Sequence, residues 1–127
     1  MSSAAACPFC NLPEARRWLD DEVGIAFLDG YPIAEGHTLV IPRRHVASVF
    51  ELDPLEQSAL WRLVGRVRGE LQARFGTNAF NIGINDGVAA GQTVSHAHIH
   101  VIPRRSGDVA DPRGGVRWII PGKAKYW

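Results

Sequence analysis

His96, His98 and His100 recur at every second position of an apolar stretch over residues 94–103, and they are three of only five histidines in the chain. On a strand, successive side chains alternate faces, so the three imidazoles share one side and Ala97, Ile99 and Val101 the other. At a rise of about 3.3 Å per residue, neighbouring histidines stand about 6.6 Å apart and the outer two about 13 Å. Two neighbours can share a metal ion, but three in a straight row cannot. At least one must therefore serve otherwise, as nucleophile, proton carrier or hydrogen-bond donor. The plain alternative is a histidine-rich metal face, or a polar strand face open to water. Three histidines packed into one apolar strand argue against solvent filler.

The loop that feeds this stretch carries Asn85, Gly91, Gln92 and Thr93. Small residues and uncharged donors let backbone amides approach phosphate oxygens closely, with Gln92 and Thr93 as further donors. Alone, "AAGQT" fits any surface turn; beside the histidines it points to phosphate. The two cysteines, Cys7 and Cys10, are separated by two residues. In a reducing compartment that spacing reads as a metal clip or a redox pair rather than a structural disulfide. A thioredoxin-like redox pair would follow a strand and open a helix, whereas "CPFCNLP" is closer to a zinc knuckle. Four ligands close a structural zinc site, so two histidines would have to join, and by counting all five are candidates. The alternative is two reduced thiols in a mobile tail.

The elements that must position these groups are legible in outline. Residues 16–20 and 23–29 read as two strands of a hairpin around Asp20-Asp21-Glu22, and residues 37–41 as a third strand ended by Pro42. A short helical turn or loop is expected between 43 and 52. One long helix is predicted over 54–75. Asp53 is its N-cap, Pro54 fits the first position, Glu56 completes a capping box and Gly76 stops it. Leu60, Leu63, Val64, Val67 and Leu71 form its apolar stripe. Phe80, Ile82 and Ile84 alternate with polar or small residues in a further strand, and 94–103 is the last. Strands around one long helix, without βαβ alternation, predict an α+β domain with an antiparallel sheet.

With 127 residues, 46% of them hydrophobic and 21% charged, the chain suits one domain with a real core. A net charge of +1 and scattered Lys and Arg do not indicate nucleic-acid binding. No apolar run reaches the roughly 20 residues of a membrane span, and no secretory signal is visible, so a cytoplasmic location is expected. Residues 1–6 are expected to be disordered.

"GQTVSHAHIHVIPRRSGD" resembles the histidine triad motif of the HIT superfamily, and "GHTLVIPRRHV" (36–46) resembles the strand and turn that precede it there. "NDGVAAGQTV" is closest to the fragile-histidine-like branch, which cleaves dinucleoside polyphosphates, and "GGVRWIIPGKAKYW" resembles bacterial members. The resemblance implies one HIT domain over 1–127, with an antiparallel sheet of about five strands, one long and one short helix, and a homodimer. It implies that His98 is a nucleophile attacking the α-phosphorus of a nucleotide to form a nucleotidyl-imidazole, later hydrolysed. His100 matches a phosphate contact, Gln92 a side chain near the bridging oxygen, and Thr93 a loop donor. Gly91 belongs to the same loop, and Asn85 matches a phosphate- or ribose-proximal position. Asp29 matches a ribose contact and His37 a supporting histidine. Members with an N-terminal Cys-x-x-Cys resemble the related uridylyltransferases, which implies structural zinc on Cys7, Cys10, His45 and His96, the clip lying at 7–10 and the triad at 96–102. Hydrolysis of a phosphoramidate, a phosphorylase activity, and a nucleotide-binding scaffold with little turnover are the other readings.

Overall fold

Helix initiation follows the predicted chemistry. The Asp53 carboxylate accepts from the Glu56 amide at 2.8 Å, and the Glu56 carboxylate accepts from the Asp53 amide at 3.1 Å. Pro54 occupies the first turn, where its missing N–H costs nothing. Helix α1 runs Pro54–Phe75 and stops where Gly76 takes the left-handed conformation at φ 70°. The computed structural model describes residues 4–127. The strands are β1 (Arg17–Asp20), β2 (Gly24–Leu28), β3 (Thr38–Pro42), β4 (Ala79–Ile84) and β5 (Ile99–Arg104). They form one sheet in the order β1-β2-β3-β5-β4, antiparallel at every pairing.

Alternation gives the sheet two distinct faces. One packs on α1, where Leu60, Leu63, Val64, Val67 and Leu71 meet Ala26, Val40, Ile99 and Val101. Each such aliphatic side chain contributes about 1.5–3 kcal/mol through burial. Helix and sheet approach so closely at Gly24 that a Cβ there would stand 2.8 Å from Leu63 and 3.0 Å from the Ile41 carbonyl. On the opposite face, Ile25, Phe27, Leu39 and Ile41 are covered by Leu12 and Phe9 of the N-terminal segment. That cover stops short of β4 and β5, leaving the His100 side of the sheet for a cleft.

One expectation is corrected. The last strand begins at Ile99 rather than at residue 94. The Ala97 amide donates to the Val46 carbonyl at 2.7 Å, which draws the chain off the β3 ladder until Val40 pairs with Ile99. His96 and His98 therefore lie in the bend before the strand, and the three histidines do not form a straight row. Ala4–Ala6 form a 3-10 turn whose Ala4 carbonyl accepts from the Cys7 amide; residues 1–3, part of the stretch expected to be disordered, lie outside the described residues. The short helical turn expected between 43 and 52 is a 3-10 turn, Val49–Glu51, capped by Ser48. Among the described residues no helix is long and apolar enough to cross a membrane.

Candidate active site and metal centre

The bend at 94–98 turns the histidines towards different partners. His96 Nε2–H donates to the Pro42 carbonyl at 2.7 Å, which leaves Nδ1 with its lone pair. That nitrogen lies 3.4 Å from Cys7 Sγ, 3.5 Å from Cys10 Sγ and 3.3 Å from His45 Nδ1. His45 Nδ1 and Cys10 Sγ are 3.2 Å apart. A tetrahedral zinc ion with bonds of about 2.0–2.1 Å to nitrogen and about 2.3 Å to sulfur places ligand atoms about 3.3–3.8 Å from one another. The cluster has the donor set and the spacing that such an ion requires. All four ligand atoms lie within 4.8 Å of one another, with Cys7 and His96 fully buried. Burial and the adjacent Cys7 thiol push the Cys10 thiol up, while burial pushes His96 down. Both shifts favour the neutral forms of Cys10 and His96, and a divalent cation would displace the Cys10 thiol proton.

His98 turns the other way. Its Nδ1 lies 2.8 Å from the His96 carbonyl, which can only accept, so Nδ1 carries the proton and Nε2 keeps its lone pair. Phe9, from between the two cysteines, packs edge-on against the His98 ring with centroids 5.3 Å apart, and against Phe27 at 5.4 Å. His98 is 8% exposed, so its ring is held by packing as well as by the carbonyl.

His100 begins a second set of contacts. The Ile33 amide donates to His37 Nδ1 at 3.2 Å, so neutral His37 carries its proton on Nε2. That Nε2–H donates to His100 Nδ1 at 2.9 Å, leaving His100 protonated on Nε2. The Asp29 carboxylate stands 3.4 Å from the same His37 nitrogen. Burial keeps His37 below the ordinary histidine range, against the pull of Asp29, so this contact is a polar one rather than an ion pair. Burial, then the neighbouring His98 and His37 rings, push His100 down to about 4. The 2.9 Å nitrogen separation is shorter than the roughly 3.3 Å edge that a shared ion imposes, so Asp29, His37 and His100 form a hydrogen-bonded chain rather than a second metal site.

An open cleft of about 820 Å³ lies over this chain, walled in part by Asp29, His37, His100, Asn85 and Gly91. His98 is not among the residues that line it; its ring lies 5.3 Å from that of His100, which does. Gly83 pairs with His100 across the β4–β5 ladder, and a side chain there would project into empty space. Thr93 is exposed and does not line the cleft. Gln92, expected beside a bridging oxygen, is committed elsewhere. Its amide donates to the Ala47 and Val94 carbonyls at 2.8 and 3.0 Å and accepts from the Gly87 amide at 2.9 Å. Both of its N–H groups serve the loop. Phe9 and the Val46, Ala47 and Pro42 carbonyls are parts of the site that sequence reasoning missed. An aromatic residue inside the Cys-x-x-Cys pair was the one available signal for Phe9.

The HIT domain family profile matches residues 14–107. An asymmetrical bis(5'-nucleosyl)-tetraphosphatase of Schizosaccharomyces pombe is 43% identical over 90 residues, covering 71% of this chain and 50% of the relative. The chain thus spans about half the length of that relative. A HIT family protein from Bacillus anthracis superposes with a TM-score of 0.76 at 36% identity, covering 84% of this chain and 78% of that one. A zinc-bound histidine triad family protein from Mycobacterium smegmatis superposes at 0.72 with 37% identity, covering 86% and 82%. With its five-stranded antiparallel sheet, single long helix and matched histidine segment, the chain belongs to the HIT domain family.

Proposed function

We propose that this protein is a nucleotidyl hydrolase that cleaves dinucleoside polyphosphates at the α-phosphate through a covalent intermediate on His98. The observation that carries the reading is the His98 tautomer: Nδ1–H is held by the His96 carbonyl, and the Nε2 lone pair is available for attack. In the first step that lone pair forms an N–P bond, and the P–O bond to the departing nucleotide breaks with its electrons on oxygen. His100, with its proton on Nε2, donates to a phosphate oxygen and offsets the charge that gathers there. In the second step water attacks phosphorus, the N–P bond returns its electrons to His98, and the water proton is released to solvent. Asp29 accepts from ribose hydroxyls, Asn85 and Gly91 line the approach, and Gln92 and Thr93 contribute through the loop. The name of the S. pombe relative supports a dinucleoside tetraphosphate as the substrate type.

Cys7, Cys10, His45 and His96 would hold one zinc ion, as the zinc-bound relative supports. Four protein ligands leave no open position for substrate, so the ion's part is structural. We read the active form as a homodimer, for which light scattering is the check.

The test is replacement of His98 by Asn, with assays on diadenosine tri- and tetraphosphate and on an adenosine phosphoramidate. The variant should lose at least about 10³-fold in rate while folding normally. Equal rates for wild type and variant on every substrate would overturn the reading. Wild-type preference for the phosphoramidate would transfer the same chemistry to a different leaving group.

A further inference from the structure

The hydrogen bond from His98 Nδ1–H to the His96 carbonyl, 2.8 Å long, fixes one atom of the His98 ring. A bond at one atom does not fix a plane. Rotation about Cβ–Cγ is broad for histidine, so the ring needs a second constraint if Nε2 is to keep one direction. The rings of His100 and Phe9 supply contacts, each with its centroid 5.3 Å from that of His98, at interplanar angles of 65° and 82°. Edge-to-face contact sets an angle as well as a distance, because the positive edge of one ring meets the negative face of the other.

Phe9 is itself placed by the cysteines on either side of it. The Cys10 amide donates to Cys7 Sγ at 3.4 Å, and the Asn11 main-chain and side-chain amides donate to the Cys7 carbonyl at 3.2 and 2.8 Å. These contacts close residues 7–11 into one turn, inside which Pro8 has a fixed φ. Cys7 and Cys10 Sγ stand 3.4 and 3.5 Å from His96 Nδ1. An ion that draws both sulfurs to one point therefore also sets the backbone that carries Phe9. The Phe9 ring rests edge-on against Phe27 at 5.4 Å and against the His96 ring at 5.9 Å. One ring thus meets a ligand of the cluster, the floor of the sheet and the His98 imidazole.

We propose that Phe9 is a positioning residue: the Cys7, Cys10, His45 and His96 cluster holds the Phe9 ring, and that ring holds the His98 imidazole in the plane that presents Nε2. The inference rests on the reading of His98 as nucleophile. His96 reaches the same imidazole by a second route, since its side chain joins the cluster and its carbonyl holds His98 Nδ1–H. The cluster therefore acts on turnover from a distance, with no ligand position open to substrate. A leucine at position 9 would still cover Phe27, but it has no ring edge with which to set an angle.

The experiment compares Phe9→Leu and Phe9→Tyr with wild type, each purified with its metal. The nitrogen chemical shifts of the His98 ring are read by NMR on isotope-labelled protein without substrate. Wild type should show one tautomer, with Nδ1 protonated and Nε2 bare. Phe9→Leu should show a mixture of tautomers or exchange broadening at His98, with zinc content unchanged. On diadenosine tetraphosphate its kcat should fall by about two- to tenfold, the scale of an aromatic pair, with KM moving less. Phe9→Tyr keeps the ring and should stay within about twofold of wild type in kcat. A change in KM alone, or loss of zinc from Phe9→Leu with the His98 shifts unmoved, overturns the proposal. Because the shifts are read without substrate, a His98 ring like that of wild type in Phe9→Leu overturns the positioning role alone. Equal rates for wild type and His98→Asn overturn the nucleophile reading instead.

Discussion

His37 donates its Nε2–H to His100 Nδ1 at 2.9 Å, and this one hydrogen bond decides which nitrogen of His100 faces the cleft as a donor. The direction is set further back, because the Ile33 amide donates to His37 Nδ1 and so fixes that ring's tautomer. A backbone amide thereby determines the proton position two imidazoles away. The same logic holds for His96 and His98, where the Pro42 and His96 carbonyls hold the Nε2 and Nδ1 protons. Which nitrogen of each histidine carries the proton is a matter of which carbonyl or ring it meets.

Replacing His37 by Ala should therefore lower kcat without removing any group that touches phosphate. An unmade hydrogen bond in a buried site costs about 1–3 kcal/mol, which corresponds to about 5- to 150-fold in rate. His37→Gln, which keeps a side-chain donor, should recover part of that loss. Equal kcat for wild type and His37→Ala would show that His100 orients itself unaided.

The pH dependence of stability has a definite sign. His100 titrates near 6.5 when unfolded and at about 4 when folded. As pH falls through 6.5 the unfolded chain binds a proton that the folded chain refuses, so the folded state loses stability until about pH 4, below which both are protonated. His37, also lowered by burial, acts in the same direction. Melting temperature should be flat with respect to these groups above pH 7 and should fall between pH 6.5 and 4. His100→Gln should lose less across that window than wild type does. A wild-type profile that is level there would contradict the buried, neutral state of these rings.

The cluster of Cys7, Cys10, His45 and His96 predicts a structural dependence on zinc. Purified protein should contain about one zinc per chain. Stripping it would remove the ion that holds Cys7, Cys10, His45 and His96 together and would release Phe9 and Leu12 from the sheet face they cover. The expected loss is on the order of several kcal/mol, seen as a lower melting temperature and as proteolytic cleavage near residues 7–13. Cys7→Ser and Cys10→Ser should reproduce it. A metal content near zero, with stability untouched by chelator, would leave the cysteines as ordinary reduced thiols.

How much of this was legible depended on where the determining contacts lie. Helix α1 was readable to the residue because its start, stripe and stop are local: Asp53, Glu56, the leucines and Gly76 all lie within its span or next to it. The start of β5 was not, because the contact that delays it comes from the Val46 carbonyl, 51 positions away from Ala97. Alternation over 94–103 suits a strand, and nothing in that stretch records that its first half is pulled aside. The three roles in the triad came from the resemblance; residue spacing alone showed only that one ion could not hold all three. The turns Gly115–Ile119 and Pro121–Lys123 were invisible too, since short 3-10 turns carry neither helical nor strand periodicity.

Gln92 distinguishes a loop-building role from direct contact with substrate. Its amide ties together the Gly87 amide and the Ala47 and Val94 carbonyls, so it couples the Gly87–Gly91 turn to the segment that leads into His96. Gln92→Ala removes three hydrogen bonds at once and should cost about 1–3 kcal/mol of stability, together with a fall in kcat as His98 loses its support. Gln92→Glu is the sharper variant. A carboxylate can still accept from Gly87, but it faces two carbonyl oxygens to which it has nothing to donate, so it should be less stable than Gln92→Ala. A side chain acting only on the bridging oxygen would give the opposite pattern, with activity lost and the melting temperature unchanged in both variants. Thermal melts of the two proteins beside their kcat values separate the roles, because only the loop contacts are present before substrate binds.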